Sequence, residues 1–281
     1  MLKRYLLILG ILSTLLLWGC SEDKKLAVGG SVEANEAYLE YFGQPPAVQK
    51  GTAYARVVFL PFRNDPTKLE AAPVYLVEKE NQIQHILDRL TSGKLILPPQ
   101  SPLYQPLTQL KQVKVSANVN GTITLAIEPP LEDQAILTTL VETVLQFPEI
   151  KYVKILVDGK PFESMPEQGF SAVSGLNIQV SPPEALMIAG MWEHGEPTLH
   201  EIYVDFNRPV TVNKFQLYNA AGQQIAGEKF ISAFKMAVVI QPKNPEQFKA
   251  GDILKAEWDI TDAIGRINRG VTVMPLAHYE H

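Results

Sequence analysis

The side chains best suited to bind a metal ion are histidines and a single cysteine. Four of the five histidines lie in the C-terminal half, where His194 and His200 flank a proline-containing loop and His278 and His281 are spaced i, i+3. Imidazole pairs of this kind can hold copper, zinc or nickel. Neither pair has a cysteine or a close-set group of carboxylates to complete a ligand set, since Cys20 is the only thiol. We therefore predict solvated surface histidines and no metal site.

Catalysis by a nucleophile or by paired acids finds little support in the sequence. The chain contains no Gly-x-Ser-x-Gly and no His-Glu-x-x-His pattern. The adjacent acids Glu132-Asp133 stand at the start of a predicted helix, where they complement the helix dipole and need no catalytic role. Gly29-Gly30 does not open a helix that could cradle a phosphate. We predict a protein that is not an enzyme, with no catalytic residues and no cofactor.

Cys20 stands where an export signal would be cut. An apolar run over residues 6–17 follows the basic pair Lys3-Arg4 and leads into Trp18-Gly19-Cys20. This pattern predicts a signal peptide over residues 1–19, because the run is short for a membrane span. Its ending resembles a bacterial lipoprotein signal, which implies a diacylglyceryl group on the Cys20 sulfur and an anchor on the extracytoplasmic face of the cell membrane. A retained signal anchor with an inert cysteine is the alternative.

Charge and composition exclude nucleic acid as the partner. The chain carries 25 basic and 30 acidic residues, and removal of residues 1–19 takes away two basic residues and no acid, so the net charge falls from −5 to −7. The longest basic run is Lys24-Lys25, whereas a polyanion needs a concentrated basic face. A lone cysteine excludes an intrachain disulfide, and the chain length suits two modest domains.

Residues 20–52 predict a lipidated flexible tether. They are polar or small, contain Gly29-Gly30 and Pro45-Pro46, and show no sustained hydrophobic period. An ordered extension is the alternative, because residues 36–42 form an acidic, aromatic patch.

Residues 53–170 mix strand and helix patterns and predict a compact α+β domain. One amphipathic helix has its apolar stripe at residues 83, 86, 87 and 90 and ends at Gly93, and a second helix covers residues 132–147 before Pro148. Strands are predicted at residues 56–60, 74–77 and 153–157, with a hairpin over residues 113–127.

The hairpin turns at Asn120-Gly121. A two-residue loop would place the apolar residues of its two strands on opposite faces of the sheet. A three-residue loop over residues 119–121 instead pairs Ala117 with Ile123 and Val115 with Leu125, and it puts Gly121 in the left-handed conformation. We therefore predict the longer loop.

The second half of the chain contains no convincing helix pattern. Short runs of alternating apolar residues, separated by turns such as Ala221-Gly222, predict an antiparallel β-sandwich over residues 176–276 and a tail over residues 277–281. Met187, Met191 and Trp192 are predicted in an early loop of this sandwich, where they form either a contact patch or part of the packing between the domains.

Four blocks of the first domain resemble a known family. They are Val57-Val58-Phe59-Leu60, the helix Ile86-Leu87-Asp88-Arg89-Leu90-Thr91-Ser92-Gly93, the hairpin around Asn120-Gly121, and the helix at 136–147 followed by Val153-Lys154-Ile155-Leu156-Val157-Asp158-Gly159-Lys160-Pro161. Residues 56–162 thereby resemble the GerMN domain, the sporulation and spore germination module of exported bacterial proteins. The resemblance implies a non-enzymatic domain of envelope lipoproteins and brings no catalytic residue with it.

Blocks of the second domain more loosely resemble bacterial immunoglobulin-like domains, including the copper-carrier CopC type. They are Val180-Ser181-Pro182-Pro183-Glu184-Ala185, Val204-Asp205-Phe206-Asn207-Arg208-Pro209-Val210, and the stretch from Ala250 to Trp258. The copper chemistry does not transfer. Where the copper domain has a histidine near its last strand, this chain reads Thr261-Asp262-Ala263-Ile264-Gly265-Arg266.

These features predict an α+β, GerMN-like domain followed by an antiparallel, immunoglobulin-like β-sandwich. The expected function is that of a membrane-anchored, non-catalytic envelope lipoprotein. Its expected partners are membrane lipid through Cys20 and other envelope proteins, in sporulation or spore germination. The alternative is a surface lipoprotein that binds peptidoglycan or a small ligand.

Overall fold

The computed structural model describes residues 29–97, 101–128, 134–173, 175–192 and 198–280. Cys20, the predicted signal peptide and the first part of the predicted tether lie outside these ranges, as do His194, His281 and the acid pair Glu132-Asp133. No helix within the described ranges is long and apolar enough to cross a membrane.

The described residues of the first half form two four-stranded sheets and three α-helices. In chain order the elements are β1 (Ser31–Ala34), α1 (Glu36–Phe42), β2 (Thr52–Phe62), β3 (Asp65–Leu76), α2 (Gln82–Thr91), β4 (Val113–Val119), β5 (Thr122–Ile127), α3 (Gln134–Leu145), β6 (Tyr152–Val157), β7 (Lys160–Pro161) and β8 (Asn177–Gln179). The first sheet has the order β1-β2-β3-β8 and the second the order β4-β5-β6-β7.

The main core of this half joins both sheets to helices α2 and α3. Helix α2 buries Ile86, Leu87 and Leu90, which are the predicted apolar stripe, and Gly93 follows its end with a φ of 68°. Helix α3 is apolar on most sides and is buried on most sides. Strand β3 is longer than the predicted strand at 74–77, because its pairing with β2 continues through Pro73.

Most of the predicted tether is folded. Strand β1 lies parallel to β2, and α1 begins after Asn35, whose side chain accepts a hydrogen bond from the Tyr38 N–H at 3.0 Å. Tyr38 and Phe42 are buried against Val57 and Phe59 of the first sheet. Because this face of β2 and β3 is apolar, it needs a cover, and α1 supplies it. The prediction of a flexible tether is therefore wrong for residues 31–52.

The β4–β5 hairpin closes with the two-residue loop Asn120-Gly121, whose φ angles are 53° and 79°. Both residues are left-handed, as a type I′ turn requires. A bulge between Val115 and Ala117 then shifts the register by one residue, so that Val115 pairs with Leu125 as predicted, whereas Ala117 pairs with Thr124 and not with Ile123. The predicted three-residue loop is wrong, because the extra residue lies in the strand and not in the turn.

The second half adds seven strands that form one hydrogen-bonded sheet. They are β9 (Ala185–Trp192), β10 (Leu199–Phe206), β11 (Val210–Tyr218), β12 (Gly227–Ile231), β13 (Ala237–Pro242), β14 (Ile253–Asp262) and β15 (Ile267–Glu280). Their order is β11-β14-β15-β9-β10-β13-β12. Met187, Met191 and Trp192 lie in β9, so the loop predicted for them is wrong.

Strand β15 connects the two parts of this sheet. Its residues 267–275 pair antiparallel with β14, and its residues 276–280 pair parallel with β9. The two parts share one core, in which Phe206 of β10 and Trp258 of β14 meet edge to face with centroids 6.3 Å apart. The predicted tail at residues 277–281 is wrong up to residue 280, because β15 continues along β9.

Strand dominates the described part of the chain, with 48% of the described residues in strands and 15% in helices. The predicted α+β class is confirmed only in part, since the α-helices of the described residues are confined to the first half. Strand β8 pairs with β3, so residues 177–179 extend the first sheet although the prediction put them in the second domain.

Candidate functional site

Within the described ranges, the fold does not assemble a site from the residues that the sequence singled out. His200 lies in β10 and His278 in β15, and both are exposed. The His278 ring lies with its centroid 4.8 Å from that of Trp192. No group of three or more His, Cys, Asp or Glu side chains placed to hold a metal occurs in the part of the chain that the structure describes. Cys20 lies outside that part.

A cleft of about 260 Å³ opens between the two halves of the chain. Both halves contribute apolar side chains to its walls, including Leu60, Phe62 and Leu103 from the first and Leu186 and Met236 from the second. The cleft also has a polar lining, formed by Glu70, Ser181, Glu184, Asn207 and Arg208. Apolar walls with a few convergent polar groups are typical of ligand sites.

Glu70 is the buried acid of this polar lining. It projects from β3 and is 4% exposed. Its Oε1 accepts a hydrogen bond from the Ser181 N–H at 2.7 Å, and its Oε2 accepts one from Ser181 Oγ at 2.9 Å. Burial raises the pKa of Glu70, and the Ser181 hydrogen bonds and the positive charge of Arg208 oppose that rise. The carboxylate thus depends on partners from beyond its own strand.

Arg208 is the buried cation that faces Glu70. Its residue is 1% exposed, and its Nη2 lies 3.6 Å from Glu70 Oε1. On the other side, Nη1 lies 3.8 Å from Asp262 Oδ2 and makes no hydrogen bond. The guanidinium carbon also lies 5.3 Å from the Phe42 ring centroid, within cation–π range. Burial is the main cause, and repulsion from Arg266 the second, of a lowered Arg208 pKa of about 10. The group therefore stays charged at neutral pH.

Arg266 extends the charged cluster to α1. Its Nε donates to Asp262 Oδ2 at 2.6 Å, and its Nη2 donates to the Tyr41 carbonyl oxygen at 2.8 Å. The Asp262 carboxylate also accepts a hydrogen bond from the Arg266 N–H at 2.9 Å, which closes the turn between β14 and β15. Glu70, Arg208, Asp262 and Arg266 therefore form a continuous set of alternating charges, here called the junction cluster. This cluster connects the first sheet and α1 to the second domain.

Aromatic contact reinforces the junction beside these charges. The rings of Tyr75 in β3 and Phe234 in the second domain have centroids 4.8 Å apart. Pairs at this separation stabilise by about 0.5–1.5 kcal/mol beyond the area that they bury. The groups at the junction pair with one another across the two domains, and the arrangement holds the domains in one relative position.

Sequence reasoning missed the junction cluster. The signals were present but weak: Glu70 interrupts an otherwise apolar stretch of β3, and Arg208 lies in the Asn207-Arg208-Pro209 turn. A charged residue inside a strand is unusual in a buried sheet. Nothing in the spacing along the chain indicates that Glu70 and Arg208 meet, because their contact depends on how two separate domains pack.

A second groove, of about 360 Å³, lies on the outer face of β9 and β10. Met187 and Met191 line it together with Tyr203, Asp205 and Tyr279. The predicted apolar patch around these methionines is thus part of a groove. Burial raises the pKa of Asp205 to about 6.

The raised pKa of Asp205 makes stability depend on pH. The folded chain holds the proton more tightly than the unfolded chain, so stability falls as the pH rises from about 4 to about 6 and then stays level. Asp205→Asn removes this slope and stabilises the chain at pH 7 by up to about 3 kcal/mol. Urea unfolding of both proteins between pH 4 and pH 8 measures the difference. A constant difference across this range would contradict the assignment.

Comparison with known proteins identifies the first domain. Residues 57–163 match the Germane family, which is described as sporulation and spore germination. This match confirms the GerMN resemblance of the sequence. No curated protein matches the chain.

Several solved structures resemble parts of the chain. The tandem GerMN domains of the sporulation protein GerM from Bacillus subtilis are 16% identical, with a TM-score of 0.34 over 62% of this chain and 58% of that chain. The first GerMN domain of the same protein is 23% identical, with a TM-score of 0.32 over 44% of this chain and 96% of that chain. CopC from Methylosinus trichosporium OB3b is 10% identical, with a TM-score of 0.23 over 35% of this chain and 98% of that chain. The chain thus spans 58% of the length of the tandem structure.

Proposed function

We propose that this protein is a non-catalytic envelope lipoprotein, anchored through Cys20 on the extracytoplasmic face of the cell membrane, that contacts other envelope proteins during sporulation or spore germination. The junction cluster is the observation that carries the contact role. Its buried charges hold the two domains in one relative position, which suits a protein that presents a composite surface to a partner. The Germane match supports the setting in sporulation or germination.

We further infer that the second domain is immunoglobulin-like. Its strand order supports this: β9-β10-β13-β12 on one side and β11-β14-β15 on the other. The constant-type immunoglobulin domain has the same two sets, A-B-E-D and C-F-G, when β9 to β15 are read as A to G. Domains of this kind serve as spacers and as contact surfaces, and either use fits a chain that joins one to a GerMN domain.

Deletion of the gene in its host tests the biological setting. The proposal expects a defect in sporulation, in germination or in both, and normal growth of vegetative cells. Wild-type sporulation and germination would contradict the proposed biological setting.

Capture of a defined membrane protein by the full chain in detergent tests the contact role. Capture that is lost in Arg208→Met and kept in Arg269→Met would support this role.

A second candidate function rests on the cleft between the domains. Its mostly apolar walls and its polar groups suit a small ligand or a peptidoglycan fragment. Incubation of the full chain with purified cell wall distinguishes the two functions. Saturable retention that resists salt would favour wall binding, and no retention together with capture of a membrane protein would favour the contact role.

A further inference from the structure

Several exposed sheet edges of this protein carry a structural protection against pairing with another chain. Gln84 of α2 covers the edge of β4, because its Nε2 donates to the Val113 carbonyl oxygen at 2.9 Å and its Oε1 accepts from the Val115 N–H at 2.8 Å. The bulge that follows Val115 distorts the rest of that edge. Side-chain cover and bulges are the usual means by which proteins prevent edge-to-edge association.

The edge of β2 beyond β1 is covered in the same way. Gln146, which follows α3, accepts a hydrogen bond from the Val57 N–H at 2.8 Å and donates to the Val57 carbonyl oxygen. Thr143 Oγ1 accepts from the Phe59 N–H at 3.3 Å. Other edges are short or irregular: β7, β8 and β12 have 2, 3 and 5 residues, and β11 has a bulge.

Strand β15 has a long edge with neither a bulge nor a side-chain cover among the described residues, and its open stretch ends at Pro275, which has no N–H to donate. Residues 267–275 pair with β14 on one side with no bulge, and β9 joins the other side only from residue 276. On the β14 side, the Leu276 N–H donates to the Asp252 carbonyl oxygen at 2.8 Å. The Leu276 carbonyl oxygen accepts from the Gly251 N–H, also at 2.8 Å. The N–H and C=O groups of successive residues point to opposite sides of a strand. Since those of Leu276 point to β14, those of Arg269, Val271 and Val273 point to the open side. None of these groups has a backbone partner among the described residues.

The side chains of this edge suit pairing with another strand. Val271 and Val273 are each 61% exposed, and they are β-branched residues with a preference for strands. Arg269 is neutralised by Asp259, whose Oδ2 accepts from its Nε at 2.7 Å. At the other end of the edge, Asn268 Nδ2 donates to the Pro183 carbonyl oxygen at 2.7 Å. The segment around Pro183, which leads into β9, therefore lies beside Asn268, and the open part of the edge begins at Arg269.

We propose that this edge pairs antiparallel with the same edge of a second copy of the chain, about a two-fold axis at Val271. In this register Val271 meets Val271 of the second copy, and each Arg269 meets a Val273. Each of the three residue pairs exchanges two backbone hydrogen bonds. The three strands β11-β14-β15 of each copy then continue into a six-stranded sheet across the axis.

The charges around this edge allow a second copy as the occupant. The whole chain is acidic, with a net charge of −5, so general repulsion opposes self-association. The face around this edge is different, because Arg269 pairs with Asp259 and Lys255 pairs with Glu257 at 2.8 Å. The two-fold register also keeps the two Arg269 side chains apart. An interface of this kind is self-complementary, as a two-fold axis requires.

Cysteine cross-linking of the full chain in its host membrane tests the proposal. The paired Val271 Cα atoms would be about 5.5 Å apart, which lies within the range that a disulfide spans. Val271→Cys is therefore expected to give at least about fivefold more covalent dimer on mild oxidation than Phe230→Cys. Phe230 is the matched control, because it is 43% exposed and lies on the edge strand β12. The unsubstituted chain, with Cys20 alone, gives the baseline.

The register provides a second readout. Val273→Cys alone faces Arg269 of the second copy and is expected to stay near the baseline, whereas the double variant Arg269→Cys/Val273→Cys is expected to cross-link as well as Val271→Cys. Equal yields for Val271→Cys and Phe230→Cys would contradict the proposal. A Val271→Cys product whose mass is not that of two chains would show that a different protein occupies the edge, which also contradicts it. Neither result depends on the sporulation phenotype of the deletion strain.

Discussion

Replacement of Arg208 by methionine is expected to lower the free energy of unfolding by about 3–5 kcal/mol, because it leaves the buried Glu70 carboxylate without its cation while Asp262 keeps Arg266. Glu70 and Asp262 both face Arg208 at the junction, and the Arg208 and Glu70 side chains are only 1% and 6% exposed. Methionine retains most of the volume, so the loss reports the charge and not a cavity. Urea unfolding of the two proteins at pH 7 measures the difference.

Arg269 provides the matched control for Arg208. It also pairs with an aspartate, Asp259, at 2.7 Å, but its side chain is 76% exposed. Exposed ion pairs contribute little to stability, so Arg269→Met is expected to leave the urea midpoint unchanged. Equal losses for Arg208→Met and Arg269→Met would contradict the importance of burial at the junction.

The pH dependence of the Arg208→Met variant gives a further check. Burial raises the pKa of Glu70, and Arg208 opposes that rise. Without Arg208 the pKa of Glu70 rises further, so the folded state gains stability from protonation of Glu70 as the pH falls. The loss of unfolding free energy caused by Arg208→Met is therefore expected to be smaller at pH 5 than at pH 7. The additional substitution Glu70→Gln is expected to recover part of this loss at pH 7. A loss of unfolding free energy that does not change with pH would contradict the role assigned to Glu70.

Elements with a clear local period could be predicted from the sequence. Helix α2 follows its apolar stripe, and the stretch from β2 through β6 matches the family that the sequence resembles. The hairpin shows where this kind of reasoning fails. The pairing of Val115 with Leu125 was predicted correctly, but a bulge and a longer loop both achieve it, and the apolar pattern alone cannot choose between them.

Helix α1 could not be predicted because its reason to fold lies elsewhere in the chain. Residues 36–42 have only one strong local signal, the Asn35 cap, and seven residues are too few for a stable helix on their own. The helix is ordered by the apolar face of β2 and β3 that Tyr38 and Phe42 cover. The Glu70–Arg208 contact is of the same kind, since it arises from the packing of two domains.

Replacement of Cys20 by serine is expected to release the protein from its lipid anchor. A serine oxygen cannot carry the thioether-linked diacylglyceryl group, so the chain should accumulate as unprocessed precursor. The folded domains should not change, because the described residues contain no cysteine. Metabolic labelling with a radioactive fatty acid measures the lipid, and the expected result is complete loss of label. Urea unfolding is expected to give the same midpoint for both proteins.

Ser21→Ala is the matched control for the anchor. It removes a hydroxyl group next to Cys20 and leaves the thiol in place, so full labelling is expected. Undiminished label in the Cys20→Ser protein would show that the lipid is attached elsewhere. Loss of label in both variants would show that processing depends on the local sequence and would leave the role of the thiol unsupported.

Mass spectrometry of the N-terminal peptide, taken from protein purified out of the host membrane, is a direct test of the lipid anchor at Cys20. We expect a mature chain that begins at Cys20 and carries a diacylglyceryl group on the sulfur. A peptide that begins at Met1 or at any other residue, or an unmodified Cys20 in the membrane-bound protein, would contradict the proposed anchor and the lipoprotein function that depends on it.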